Sequence, residues 1–587
     1  MSGSSSFSGS PSARLVLATW VLLSLNLFLC VALYQANVLT WDQWDFYTPL
    51  FKDRGLWALF DFQHGPHRQG LGFVVTSWIL QATHWDTRAD CLWITLLLSA
   101  SAGLALRLKW KITGALRWTD LWIPVLGLTL AQFEAILITP NSSHSAFPLI
   151  LMLGWANFWF IRKPVVRYVG SGFAAIALTF TGFGIFAGAV VTLLLGGWSV
   201  RHALNKEWKA AGAAVAGLLL AAGGWIVFSS NYVFAPAVAG FRFPWTPLTD
   251  YLRFIPLMLL QPSGVFGESP WRYAAGGFLS VLVLFAAIAC SWRWFRSRQP
   301  SPAEETIFLL VIAGALFVVN TAVGRVCLGI TAGMSSRYVT LMFPLWLGVY
   351  LFALGGKKRL LPIIVTSAIT CLAVWPYADM KSRPLRQWPG TLGATHDQFA
   401  YFEQYTANKA GWVDTYLKTN RWEQAQAEYG IAVYPAPAAT HLEDKLAFLR
   451  SRRLSFFARD SRQTAFLPWW LPDRFIWNDE FPTTHSGRRL EGTSKLTFVT
   501  KKNGYVELSL STPGKDASAT PLRFDIEYRG KKRMVSIDHM PASLVFPVEC
   551  GYNTIKVSPA SAVSSPPVEA APPHFVPTPP AGAVVVE

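Results

Sequence analysis

The sequence predicts an all-α polytopic membrane domain of about 11 transmembrane helices, followed by an extracytoplasmic α+β region that ends in a small β-sandwich. Composition is the first reason. Of 587 residues, 52% are hydrophobic and only 14% are charged, where a soluble domain carries about 25% charge. Periodicity is the second. From about residue 15 to 376, apolar runs of roughly 15–22 residues recur between short polar loops, each long enough, or nearly so, to cross about 30 Å of hydrocarbon. The third is a change of pattern after about residue 465, where period-two alternation takes over.

The opening run, Leu15 to Tyr34, is too long for a signal-peptide core and no small-residue cleavage site follows it, so it reads as a retained first span after a cytoplasmic tail of residues 1–14. The net charge of +17 invites a nucleic-acid partner, but its distribution excludes one. Arg107, Lys109, Lys111 and Arg117 share a loop, as do Arg162, Lys163 and Arg167. Arg201, Lys206 and Lys209 form a third cluster, Arg293, Arg296 and Arg298 a fourth, and Lys357, Lys358 and Arg359 a fifth. The clusters fall at alternate turns of the hydropathy pattern, and the positive-inside rule makes those loops cytoplasmic.

That choice orients the rest. Residues 15–376 form the membrane domain, with spans at about 15–35, 91–106, 120–138, 144–161, 168–182, 184–199, 210–228, 272–291, 306–323, 339–355 and 360–376. Residues 36–90 become one external loop, in which Gly70 to Ala82 reads as a helix lying in the interface. The C-terminus falls outside, in the periplasm if the membrane is a bacterial inner membrane. Residues 377–464 read as an external helical linker and 465–560 as the β-sandwich, on the alternation at 495–499, 505–510, 523–528, 545–548 and 554–557. Residues 561–587, rich in Pro, Ala and Val, read as a disordered tail. The six cysteines contain no CxxC, so neither a disulfide framework nor a zinc site is indicated.

Chemistry concentrates on the outer side. Trp41-Asp42-Gln43-Trp44-Asp45-Phe46 sets two carboxylates three residues apart, between indoles, just after the first span. Acids beside a span are costly and ask for a reason. Asp42 and Asp45 are candidates for a general base, or for ligands of a divalent cation such as Mg²⁺ or Mn²⁺; Trp41 and Trp44 could stack on sugar or lipid. The competing reading is an aromatic belt with two solvated acids. His67 and Arg68, with His64, form a cationic group that suits a lipid phosphate or snorkels to headgroups. Arg325 and Arg337 stand on an outer loop with Ser335, Ser336 and Tyr338, where cations should be scarce. Glu134, near the outer end of a span, is a catalytic candidate or a structural partner of one of those arginines. Asn141-Ser142-Ser143 is a weak glycosylation sequon. Thr181-Gly182-Phe183-Gly184 reads as helix packing or a turn. No Walker loop, GxSxG or HExxH occurs.

This layout of span, acid-bearing external loop, basic element, interfacial helix and second span resembles the GT-C superfamily of polyprenyl-phosphate-sugar glycosyltransferases, which includes protein O-mannosyltransferases and lipid A aminoarabinose transferases. Asp42 and Asp45 stand where that superfamily holds an acidic pair or DxD-like motif. His64-Gly65-Pro66-His67-Arg68 stands where relatives often carry a Lys-Pro-Pro-like element. The segment Asp90 to Arg107 resembles their second span. The acids here form DxxD, and the basic element is His-Arg in place of Lys. The resemblance implies a membrane glycosyltransferase taking a sugar from a polyprenyl-phosphate donor to a glycan, lipid or protein acceptor. Asp42 would be the base, Asp45 its partner, and His67, Arg68, Arg325, Arg337 and Tyr338 would hold the donor phosphate. Three other readings remain open: a transporter or flippase, a polymerase or ligase for lipid-linked saccharides, and a non-catalytic envelope assembly protein. A transporter would show charged residues along a path inside several spans, and Glu134 is nearly the only acid that reads as deep in one.

Overall fold

The computed structural model describes residues 10–52, 54–234, 240–356, 360–380, 390–429, 441–458 and strand-forming segments between 474 and 586. The basic group Lys357, Lys358 and Arg359 lies outside the described residues. The chain divides into two compact units. One holds residues 1–31, 45–83 and 89–399; the other holds 32–44, 84–88 and 400–587.

The first unit is helical. In chain order it contains α1 (Pro11–Tyr34), the short turns α2 (Gln43–Phe46), α3 (Thr48–Phe51) and α4 (Leu56–Phe60), a hairpin of β1 (Gln63–His64) and β2 (His67–Arg68), then α5 (Gly70–Ala82) and α6 (Thr87–Thr113). There follow α7 (Trp122–Gly127), α8 (Ala146–Phe158), α9 (Pro164–Thr179), α10 (Ile185–Leu204), α11 (Trp208–Ser230), α12 (Thr249–Leu260), α13 (Pro270–Arg296), α14 (Pro302–Arg325), α15 (Val339–Leu354) and α16 (Leu360–Asp379). Among the described residues, 8 helices are long and apolar enough to cross a membrane. They correspond to the expected spans at 15–35, 91–106, 184–199, 210–228, 272–291, 306–323, 339–355 and 360–376.

The other three expected spans have different shapes. α8 and α9 are apolar but short. The stretch 120–138 is not one helix: it breaks into a 3-10 turn, α7, a second 3-10 turn and a π-helical turn at Glu134–Ile138. The break has local causes. The Thr129 hydroxyl accepts from the Ala131 N–H, and the Gln132 amide donates to the Gly127 carbonyl at 3.0 Å, so side chains replace the helical ladder.

Among the described residues of this unit three acids, Asp90, Asp120 and Glu305, are fully buried, whereas Glu134 is partly exposed. Asp90 accepts from the Tyr47 hydroxyl at 2.7 Å and the Thr76 hydroxyl at 3.2 Å. Asp120 pairs with Lys109 at 2.5 Å and accepts from the Tyr350 hydroxyl. Glu305 accepts from the indoles of Trp159, Trp198 and Trp294 at 2.8, 2.5 and 3.3 Å. These three stand at span ends or in a turn, where an acid looks solvated in sequence, and not deep in a span. Each buried acid has its own local donors, which is how a polar group survives among packed helices.

The second unit contains α17 (His396–Thr419), which begins in the first unit, then α18 (Trp422–Tyr429), α19 (Leu442–Ser451) and two sheets. The strands are β3 (Arg474–Trp477), β4 (Arg488–Leu490), β5 (Ser494–Thr500), β6 (Gly504–Ser511), β7 (Leu522–Tyr528), β8 (Lys531–Ile537), β9 (Ala542–Val548), β10 (Gly551–Pro559), β11 (Val568–Ala570), β12 (His574–Val576) and β13 (Val584–Val585). One sheet runs β3-β5-β10-β7-β8; the other runs β13-β9-β6-β11-β4, with β12 also on β6. Alternate residues Val506, Leu508 and Leu510, Phe524 and Ile526, Leu544 and Phe546, and Ile555 and Val557 build the buried core. Every expected strand is present. The expected disordered tail differs: residues 568–570, 574–576 and 584–585 pair with β4, β6 and β9. Pro and Ala hid short strands there, because sequence period is unreadable over two or three residues.

Candidate functional site

Within the first unit, the β1–β2 hairpin turns at Gly65 (φ +58°) and Pro66 and pairs His64 directly with His67. Residues opposite each other in a ladder share a face, so the turn brings two imidazoles together. His144, in the loop before α8, completes a trio: its ring centroid is 6.1 Å from His64 and 5.5 Å from His67. The Phe46 ring packs on His64 at 5.7 Å and on His144 at 6.4 Å, so the end of the acidic motif, with Asp45 next in chain, abuts the histidines. Phe183, from the Thr181–Gly184 segment, lies 4.1 Å from His67. That segment is a tight turn, as expected: Gly182 has φ +50°, and a Cβ on it would meet the Ser143 carbonyl oxygen at 2.3 Å.

Two arginines face this trio. Arg325, the last residue of α14, acts electrostatically on His67 and His144; Arg337 acts on His144. Burial first, then the charge of Arg325 and the neighbouring His64, push the His67 imidazole down to about 3. His67 is therefore neutral at physiological pH. Arg325 makes no hydrogen bond or ion pair among the described residues, an expensive condition for a cation near hydrocarbon. Arg337 pairs through Nε with Glu134 at 3.0 Å. Glu134 also accepts from the Ser335 hydroxyl at 2.6 Å and the Arg337 N–H at 3.3 Å, while its own N–H donates to Ser336. Glu134 thus fixes the arginine-bearing turn, the structural alternative of the sequence reading. Tyr338 is buried with its ring 6.2 Å from Phe317.

Arg68 needs correction. Strand alternation turns it to the face opposite His67. There it is 2% exposed, pairs with Asp61 at 2.9 Å, and donates to the Asp61 and Phe228 carbonyls and to Asn231. Its guanidinium also lies over the rings of Phe180 and Phe228. Arg68 ties the hairpin to the end of α11 and does not serve as an open phosphate fork.

Asp42, Trp41 and Trp44 belong to the second unit. Asp42 is partly exposed in a turn where Trp41 takes φ +50°, a left-handed conformation unusual for a bulky residue. Trp44 is completely buried, and Lys445 of α19 donates to its carbonyl, so its indole packs the unit and is not offered for stacking. The same segment is held by Thr406, which donates to the Tyr34 carbonyl at 2.6 Å, and by Lys409, which donates to Gln35 at 3.1 Å. Residues 400–429 and 441–458 are more than a linker: they anchor the chain around Asp42.

Sequence reading missed His144 and Asp90. His144 adjoins the Asn141 sequon, which is itself a turn: the Asn141 carboxamide oxygen accepts from the Ser143 and His144 N–H groups. A histidine in a short outer loop was the available signal. Among the described residues no group of three His, Cys, Asp or Glu side chains is placed to hold a metal ion. No known family model matches the chain, and no curated protein matches it either.

Proposed function

We propose that the chain is an integral membrane glycosyltransferase that moves a sugar from a polyprenyl-phosphate donor to an acceptor hydroxyl at the outer face, with its N-terminus cytoplasmic and its second unit in the periplasm of a bacterial inner membrane. The observation that supports this most is the cluster of Arg325, Arg337, His64, His67 and His144 beside Phe46. Such a cluster suits a phosphate: guanidinium groups carry the charge, and His67 and His144, whose protonation is disfavoured first by burial and then by the neighbouring cations, gain a proton more readily when an oxyanion offsets that charge.

In the proposed reaction the acceptor hydroxyl attacks the anomeric carbon. On sequence spacing Asp42 would be the base that takes the hydroxyl proton, while the carbon–oxygen bond to phosphate breaks and its electron pair leaves on polyprenyl phosphate, with inversion. Arg325 and Arg337 stabilise that leaving group. On sequence spacing, Asp42 and Asp45 would be the residues to hold a divalent cation such as Mg²⁺ or Mn²⁺, which when bound would supply charge to stabilise the leaving phosphate. The β-sandwich would orient the acceptor.

The test is transfer of label from a radiolabelled polyprenyl-phosphate-sugar pool into endogenous acceptors in membranes. Wild type should transfer. Arg325→Ala should lose most transfer, about a hundredfold for one charge contact to the leaving group. Normal transfer by a folded Arg325→Ala would remove the main support and bring the transporter and assembly readings forward.

A further inference from the structure

A second cationic site lies in the first unit, away from the histidines. A cavity of about 380 Å³ sits between α6, α13, α14 and α15, within the size range of small-ligand sites. Its polar lining includes Lys109, Arg117, Arg293 and Glu304, and its apolar wall includes Phe352. These residues come from the loops and helix ends that the positive-inside rule assigns to the cytoplasm.

The charges are not equivalent. Lys109 is buried and neutralised by Asp120 at 2.5 Å. The Glu304 carboxylate is engaged by Ser301, whose N–H donates to it at 2.8 Å in a capping box at the start of α14. Arg117 and Arg293 form no ion pair among the described residues, and Arg293 lies over the Phe352 ring at 4.8 Å. Phe352 in turn packs against Phe285 at 6.0 Å. Phe285 belongs to a stripe of α13 in which Val281, Leu284, Ile288, Trp292 and Phe295 are also exposed. An apolar helix face thus leads to two guanidinium groups at a cavity mouth that have no ion-pair partner among the described residues.

We propose that this cavity binds the phosphate headgroup of an anionic phospholipid from the inner leaflet, with an acyl chain along the exposed stripe of α13. Arg117 and Arg293 hold the phosphodiester by charge-assisted hydrogen bonds, and basic pockets between transmembrane helices on this side favour such headgroups. The site is independent of sugar transfer.

Native mass spectrometry of the detergent-solubilised full chain tests it, with phosphatidylglycerol and phosphatidylcholine of matched chains as probes. Wild type should retain phosphatidylglycerol preferentially. The Arg117→Ala/Arg293→Ala double variant should bind it about tenfold more weakly or worse, as loss of at least one charged contact requires. Arg162→Ala, which removes a cation of another loop, should leave binding unchanged and guards against a general charge effect. Equal binding of both lipids, or unchanged binding by the double variant, overturns the proposal. Displacement by millimolar inorganic phosphate would overturn the lipid as the ligand in favour of a free phosphate. A double variant that fails to fold is replaced by Arg293→Gln, judged by the same comparison.

Discussion

His64 and His67 face each other because only two residues, Gly65 and Pro66, separate the strands that carry them. Their chemistry follows from their surroundings more than from their type. His67, pushed down to about 3 by burial and by Arg325, binds fewer protons folded than unfolded at mildly acid pH. Stability should therefore rise with pH through the window from 3 to 6.5 and be full above it. Lowering the pH from 7 to 5 should cost about 2 kcal/mol through this group alone. Thermal unfolding in detergent across that range checks it: His67→Asn should flatten the acid side of the profile, and an unchanged slope would contradict the assignment. Arg68 makes the opposite prediction. Arg68→Met removes one partner of a buried pair and should cost about 3 kcal/mol, seen as a lower Tm, while donor affinity of the protein that stays folded changes little.

At the scale of elements, α5 was legible in sequence with its observed bounds, because an apolar run between Gly70 and Ala82 is too short to span and too apolar to be a loop. The acid pair and the outer arginines were legible as charges in costly places. What sequence could not give was pairing. It could not tell Arg325, which has no partner among the described residues, from Arg337, held by Glu134, nor bring His144 to His67 across more than seventy residues. The broken stretch at 120–138 also escaped, since its cause is side-chain capping by Thr129 and Gln132 and not hydropathy. α5 itself is placed by two glycines. Gly70 has φ +58°, and a Cβ there would lie 2.4 Å from the Phe180 carbonyl oxygen; one on Gly72 would lie 2.6 Å from the Ser143 hydroxyl. Gly70→Ala should thus cost more than a kilocalorie or two, about 1–3 kcal/mol for the backbone conformation before the clash is added. Unfolding of the variant, with a more severe loss of donor binding than of stability, checks the idea that α5 sets the histidine cluster.

At the scale of the whole molecule, hydropathy revealed the membrane-embedded character and alternation revealed the β region, because both signals are local. The division into units was not local. Residues 32–44 and 84–88 belong with residues 400–587: the first segment is held through Thr406, Lys409 and Lys445, the second through Ser455, whose N–H donates to the His84 carbonyl at 2.8 Å. The segment bearing Asp42 is consequently fixed by helices more than 360 residues away in sequence. Lys445→Met should loosen that segment and reduce transfer several-fold with little change in donor affinity, a split that single-turnover and binding assays resolve. The most direct measurement of the central claim uses the purified chain, a radiolabelled polyprenyl-phosphate sugar and an acceptor extract, and follows release of polyprenyl phosphate together with label in product. The account predicts both, in equal amounts, with wild type and neither with a folded Asp42→Asn. No release from any donor, or undiminished release by Asp42→Asn, would contradict it.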